Sequence, residues 1–283
     1  MLNADTRALL EEKVVETVHT FGQGLVGVLS RPRDGSSSGV ALVLLNAGLV
    51  QRSGPFRLYA QLARALCNLG FTVFRFDQSG LGDSPVSTVA ASGRKQAEVV
   101  AAMDLVTRQT GIASFVLGGL CSGADDAFNI GPAQPRVAGI MLLDGVAYQT
   151  TGFRLRHYLP RILNPAKVAR AIMRVLRRAP CGSGGGVDPG NFREFPSNAD
   201  AIKTLEGLVA RNANVLLLYT GGVDRYFNHA RQAGECFGAV MRSPRISMEY
   251  WPDCDHTFYL KQHRDRLVEL VSSWLQAGFQ TGR

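Results

Sequence analysis

The stretch Ser114-Phe115-Val116-Leu117-Gly118-Gly119-Leu120-Cys121-Ser122-Gly123-Ala124 decides how this chain is read. Its opening residues predict a strand over 114–117, and the residues from 122 to 130 predict a helix. Cys121 stands between them, with Gly119 and Gly123 two positions to either side. A nucleophile on a tight strand-to-helix turn needs small residues at those two places, because the strained backbone leaves no room for a Cβ. Cys121 is therefore the candidate nucleophile. Ser122 is the rival, since serine is the commoner nucleophile on such turns. Centring the motif on Ser122 puts Leu120 and Ala124 at the flanks, and Leu120 fits poorly. The bland alternative is an inert buried cysteine, the default for most cysteines. The flanking glycines and the preceding strand argue against it.

Outward from this turn, short β-rich runs alternate with helical stretches, which predicts an α/β layered fold with a mostly parallel sheet. Strands are expected at 40–45, 71–76, 137–143, 214–219 and 246–250. A hairpin over 14–20 and 25–29 turns at Gly22 and Gly24. Helices are expected at 57–69, 96–108 and 258–275. Gly22, Gly24 and Gly27 match the GxGxxG spacing of a dinucleotide fingerprint. That fingerprint needs a helix opening at its third glycine. Here Val28 and Leu29 continue a strand, so the match reads as a hairpin.

Partners for the thiol follow later in the chain. Asp224 lies on the loop after the strand 214–219. His256 lies on a loop just before the last helix. Asp144 competes for the role of acid, because it also ends a strand. The preferred assignment is a triad of Cys121, Asp224 and His256, with Asp144 lining the substrate pocket. His19, His157, His229 and His263 read as surface or packing residues.

The chain has 283 residues, enough for one large domain without a disulfide or metal staple. Apolar residues make up 46% and charged residues 19%, a globular composition. No apolar run is long enough to cross a bilayer. The first 17 residues hold Asp5, Glu11, Glu12 and Glu16 and lack the apolar core of a signal peptide, so the expected location is the cytoplasm. The five cysteines are scattered and never form a CxxC pair, which predicts neither a zinc site nor a disulfide framework.

The net charge is +8, and it is concentrated. Arg154, Arg156, Arg161, Lys167, Arg170, Arg174, Arg177 and Arg178 lie in one segment without Asp or Glu, leaving the rest of the chain neutral. A single patch of this kind does not make a nucleic-acid binder. The segment falls in a stretch that breaks the α/β rhythm, holding Pro160, Pro165, Pro180, Pro189 and Pro196 and a glycine run at 181–186. This predicts a cap or lid insertion over 148–197, between core parts at 1–147 and 198–283. Within it a helix from Pro165 to before Pro180 would carry an apolar stripe opposite a basic face. That face is expected to be a solvated surface. The sharper reading has it contact an acidic partner, an acyl-carrier protein, the phosphates of coenzyme A, or a membrane surface.

Several short motifs carry a family resemblance. They are Leu45-Asn46-Ala47-Gly48-Leu49 with Arg52-Ser53-Gly54-Pro55, then Arg57-Leu58-Tyr59, and Phe74-Arg75-Phe76-Asp77 with Gly80-Leu81-Gly82-Asp83-Ser84. Gly119-Leu120-Cys121, Arg156-His157-Tyr158 and Asp255-His256-Thr257-Phe258 complete the set. On these residues the sequence resembles a bacterial α/β-hydrolase of the serine-aminopeptidase-like group. In particular it resembles the cysteine-nucleophile hydrolases associated with exosortase gene clusters. The resemblance implies an α/β-hydrolase fold, with a mostly parallel central sheet flanked by helices and a helical cap insertion. It implies the chain order nucleophile, acid, histidine. Asn46-Ala47-Gly48 departs from the His-Gly that many relatives carry after the third strand.

The chemistry implied is acyl transfer. His256, oriented by the acid, takes the thiol proton, and Cys121 attacks an acyl carbonyl to form a thioester acyl-enzyme. Backbone N–H groups of Ser122 and Leu49 would hold the oxyanion. A hydrolase of the thioesterase or esterase type is the first expectation, acting on a small-molecule acyl substrate, free or linked to a carrier protein or coenzyme A, with no metal or cofactor. An acyltransferase or cyclase using the same triad is the second. A non-catalytic binding protein on the same fold is the third.

Overall fold

A computed structural model of the chain describes residues 13–87, 93–162, 193 and 195–279. Eight strands form one sheet. They are β1 (Val14–Phe21), β2 (Leu25–Pro32), β3 (Val40–Leu45), β4 (Thr72–Phe76), β5 (Ser114–Leu120), β6 (Val137–Leu143), β7 (Asn214–Thr220) and β8 (Ile246–Trp251). Their spatial order is β1-β2-β4-β3-β5-β6-β7-β8. The first two strands pair antiparallel with their neighbours, and β4 through β8 run parallel. This is the α/β-hydrolase fold expected from the sequence.

Helices cover both faces. On one side lie α1 (Leu58–Cys67) and the last helix. On the other lie α2 (Arg94–Thr110) and α3 (Ser122–Ile130). Between β6 and β7 the chain forms α4 (Thr151–Ile162) and α5 (Asn198–Ala210). After β7 come α6 (Gln232–Phe237) and α7 (Lys261–Phe279).

The core follows from strand periodicity. Successive side chains point to opposite faces. Ala41, Val43 and Leu45 pack under α2 and α3, while Leu42 and Leu44 pack under α1 and α7. Leu142 and Met141 divide in the same way. A strand buried on both faces reads as a continuous apolar run, which is why 40–45 and 214–219 stood out in the sequence.

The chain winds outward from β3 to β4, then returns to place β5 on the other side of β3. The chain reverses its winding direction at β3, and the loops after β3 and β5 both lie at the C-terminal edge of the sheet, the edge where open α/β sheets bind ligands.

The GxGxxG match is a hairpin, as its sequence context indicated. Gly22 (φ 54°) and Gly24 (φ 89°) make the β1–β2 turn. Gly27 lies inside β2, where a Cβ would come within 2.8 Å of the Phe74 ring and 2.9 Å of the Phe76 Cβ. Helix limits moved slightly: the expected 258–275 starts at Lys261, because Phe258 turns into left-handed backbone (φ 56°) first. The helix α4 falls within 148–197, where a helical insertion was expected, whereas α5 and α6 lie outside the expected helices. The proposed helix at 165–180, the glycine run at 181–186, Cys181 and the basic residues from Lys167 to Arg178 lie outside the described residues. No helix among the described residues is long and apolar enough to cross a membrane.

Gly27→Ala provides a check on this packing. Phe74 sits against both Phe21 and Phe76, so its ring has nowhere to move. Overpacking of this kind costs about 1–3 kcal/mol. Urea unfolding should show that loss as a lower midpoint at an unchanged m value.

Candidate active site

Cys121 occupies the turn between β5 and α3, with φ 59° and ψ −121°. Positive φ at a non-glycine residue costs on the order of 1–3 kcal/mol and persists only where the surroundings impose it. Here the surroundings do. The Cys121 N–H donates to the Leu143 carbonyl at 2.9 Å, extending the β5–β6 pairing by one residue. Its carbonyl accepts from the N–H groups of Ala124 and Asp125 and opens α3.

The two glycines have separate reasons. A Cβ on Gly119 would lie 2.7 Å from the Gly123 carbonyl carbon. A Cβ on Gly123 would lie 2.6 Å from the Leu45 carbonyl oxygen. The turn is pressed against the end of β3, and only glycine fits at either contact. Ser122, the rival nucleophile, uses its hydroxyl differently: Oγ accepts from the Gly48 N–H at 2.8 Å and ties the loop after β3 to the turn. Leu49, the next residue on that loop, is 90% exposed. Beneath the turn, the buried Tyr59 hydroxyl accepts from the Leu120 N–H at 2.8 Å.

His256 and the Cys121 thiol act on each other's acidity. Burial pushes the Cys121 thiol up. The interaction with His256, the charge of Arg193 and the Ser122 N–H outweigh burial and hold it below its ordinary value. Burial lowers His256, but its bond to Asp144 and its interaction with Cys121 prevail and raise it to about 9. Both shifts favour a thiolate–imidazolium pair. The other described cysteines go the opposite way, pushed up by burial to about 12 at Cys67, about 11 at Cys236 and about 12 at Cys254.

The histidine is bonded to a different carboxylate from the one expected. Asp144, not Asp224, reaches the histidine: its Oδ2 lies 2.7 Å from His256 Nδ1. Asp144 is fully buried at the end of β6 and also accepts from the Thr220 N–H (2.6 Å) and the Thr220 hydroxyl (2.7 Å). Asp224 is exposed beyond the short turn Gly221–Val223. That turn approaches His256 with a glycine rather than a carboxylate, since a Cβ on Gly222 would lie 2.8 Å from the His256 Cα. Both aspartates follow ends of neighbouring strands, so chain position did not separate them. Asp144 is thus the partner of the histidine rather than a residue lining the pocket.

The loop after β3 is braced from below. Asn46 Nδ2 donates to the Val50 carbonyl at 3.0 Å and to Asp77 Oδ1 at 3.2 Å, and Asn46 Oδ1 accepts from the Gln78 N–H at 2.8 Å. Arg52 pairs with both Asp77 and Asp83. A Cβ on Gly82 would strike the Asp77 carboxylate. Asn46 thus closes a polar cluster holding this loop.

Two participants were missed in the sequence. Arg193 pairs with Asp125 through Nε (2.6 Å) and Nη2 (2.8 Å), and Nη2 also reaches the Asp144 carbonyl at 2.9 Å. The Tyr226 hydroxyl reaches the same carbonyl at 2.8 Å. Neither residue sits in a motif or on a periodic face, so no sequence signal marks them.

No protein-family model matches the chain, and no curated protein sequence does either. Solved structures do. The esterase domain of a Rhodothermus marinus protein matches with a TM-score of 0.54 at 17% identity, covering 93% of this chain and 98% of that one. An esterase of Pyrococcus furiosus matches with a TM-score of 0.60 at 12% identity, covering 99% and 96%. Dienelactone hydrolase of Anabaena variabilis matches with a TM-score of 0.56 at 14% identity, covering 94% and 99%. At these identities the likeness is one of architecture, and the architecture it identifies is the α/β-hydrolase fold.

Proposed function

We propose that this protein hydrolyses ester or thioester bonds through a triad of Cys121, His256 and Asp144. One observation carries the proposal: a cysteine held at positive φ on the turn after β5 has its thiol lowered by an imidazole whose Nδ1 is held at 2.7 Å by a fully buried carboxylate. The esterases and hydrolases among its structural neighbours agree with this chemistry.

The steps follow from the parts. The Cys121 sulfur attacks the acyl carbonyl. The oxyanion is received by the Ser122 N–H, at the N-terminus of α3, and by the Leu49 N–H on the loop that Ser122 and Asn46 hold in place. The imidazolium of His256 protonates the leaving group, leaving a thioester. Neutral His256 then takes a proton from water, which attacks the thioester and frees Cys121. Asp144 fixes the imidazole tautomer and stabilises its charged form without becoming protonated. A thioester is a reactive acyl donor, so an amine or alcohol admitted in place of water gives transfer instead.

Intact-mass measurement after exposure to activated esters and acyl-thioesters tests the nucleophile. The wild-type protein should gain one acyl group and Cys121→Ala none. An adduct on Ser122 would overturn the assignment.

The acid is tested by two matched variants. Asp144→Asn should lower kcat by about 10⁴-fold, because it inverts the hydrogen bond that sets the imidazole tautomer. Asp224→Asn should leave kcat unchanged.

The pH profile has a definite sign. The pair exists above the lowered Cys121 value and below about 9, where His256 loses its proton. Turnover of a poor leaving group should fall above that pH. Iodoacetamide should label Cys121 at a lower pH than Cys67, Cys236 and Cys254, whose thiols burial pushes up to about 12, 11 and 12.

A further inference from the structure

We propose that Arg193 is a positioning residue, locking the helix after the nucleophile to the turn that carries the acid and so keeping Cys121, His256 and Asp144 in register. The proposal rests on the Cys121 reading given above.

The argument begins with the β6–β7 ladder. Asp144 N–H donates to the Leu218 carbonyl at 2.7 Å, the next rung after the paired strands. In a continued parallel ladder the Thr220 N–H would donate to the Asp144 carbonyl. It donates instead to Asp144 Oδ1. The carboxylate has taken the donor of its own backbone carbonyl, and the backbone has swung to φ 51°. The displaced carbonyl belongs to a fully buried residue, where an unmet acceptor is costly.

Arg193 and Tyr226 meet that need, with donors at 2.9 Å and 2.8 Å. The same guanidinium forks onto Asp125 in the first turn of α3, whose N–H bonds back to the Cys121 carbonyl. Its Nη1 donates to the Tyr226 hydroxyl at 2.9 Å, and its face lies 4.8 Å from the Phe195 ring centroid and 5.5 Å from that of Tyr226. One planar group thus joins the nucleophile turn and the acid turn. Lysine cannot replace it, because a single ammonium lacks the fixed fork.

The groups facing the Cys121 thiol are His256, Arg193 and, from α1, Tyr59. Asp125 neutralises Arg193 at close range, so the clamp matters more than the charge.

The test uses Arg193→Lys, which keeps the charge and loses the fork, and Arg193→Gln/Asp125→Asn, which leaves no unpaired buried charge. The probe is p-nitrophenyl acetate. Displacement of a constellation by an ångström costs about 100-fold, so both variants should lose about that in kcat with KM held within about threefold. The pH midpoint for iodoacetamide labelling of Cys121 should rise in both. Wild-type kcat and labelling midpoint in either folded variant would overturn the proposal, even if thermal stability fell. Full activity in Cys121→Ala would instead overturn the Cys121 reading itself.

Discussion

The Thr220 N–H bond to Asp144 Oδ1 organises this site. It lets a side chain complete a sheet ladder that the backbone has abandoned. The carboxylate is then held by the most rigid part of the molecule, between two strands of the central sheet. Its second oxygen is left to face His256. The same economy appears one strand away, where Cys121 keeps its N–H in the ladder while its φ turns positive. Cys121 and Asp144 are both the first residues past adjacent strand ends. Each is fixed by the sheet on one side and strained on the other. Such strain persists because the surrounding bonds over-determine it.

The loop after β3 depends on this arrangement from the other direction. Gly119 and Gly123 let the nucleophile turn sink against the end of β3, and Ser122 then hooks Gly48. From below, Asn46 and Arg52 anchor the same loop to Asp77. The motif residues around Asp77 touch the loop that carries Leu49 rather than the thiol itself. Their effect on chemistry passes through the position of that loop.

Legibility in the sequence followed the physics of each signal. Strands buried on both faces left continuous apolar runs, so the sheet was readable. The glycines around Cys121 marked a steric constraint that no other residue satisfies, and His256 stood before the last helix. The carboxylate that bonds His256 was not readable, because β6 and β7 are parallel neighbours and a carboxylate past either end has the same sequence signature. What separates them is the side chain at the β7 turn: Gly222 packs on His256, and Asp224 is carried out to solvent. Arg193 was invisible for another reason. Its partners are 68 residues away at Asp125 and 49 away at the Asp144 carbonyl, contacts that no local pattern encodes.

The adjacency of β6 and β7 has a mechanical consequence. The Asp144 carboxylate bridges the one strand spacing between their ends, about 4.8 Å, by taking the Thr220 N–H with one oxygen and facing His256 with the other. Splaying of the two ends would break the first bond and turn the carboxylate away from the imidazole. Fraying at this edge of the sheet and misorientation of His256 are therefore a single event.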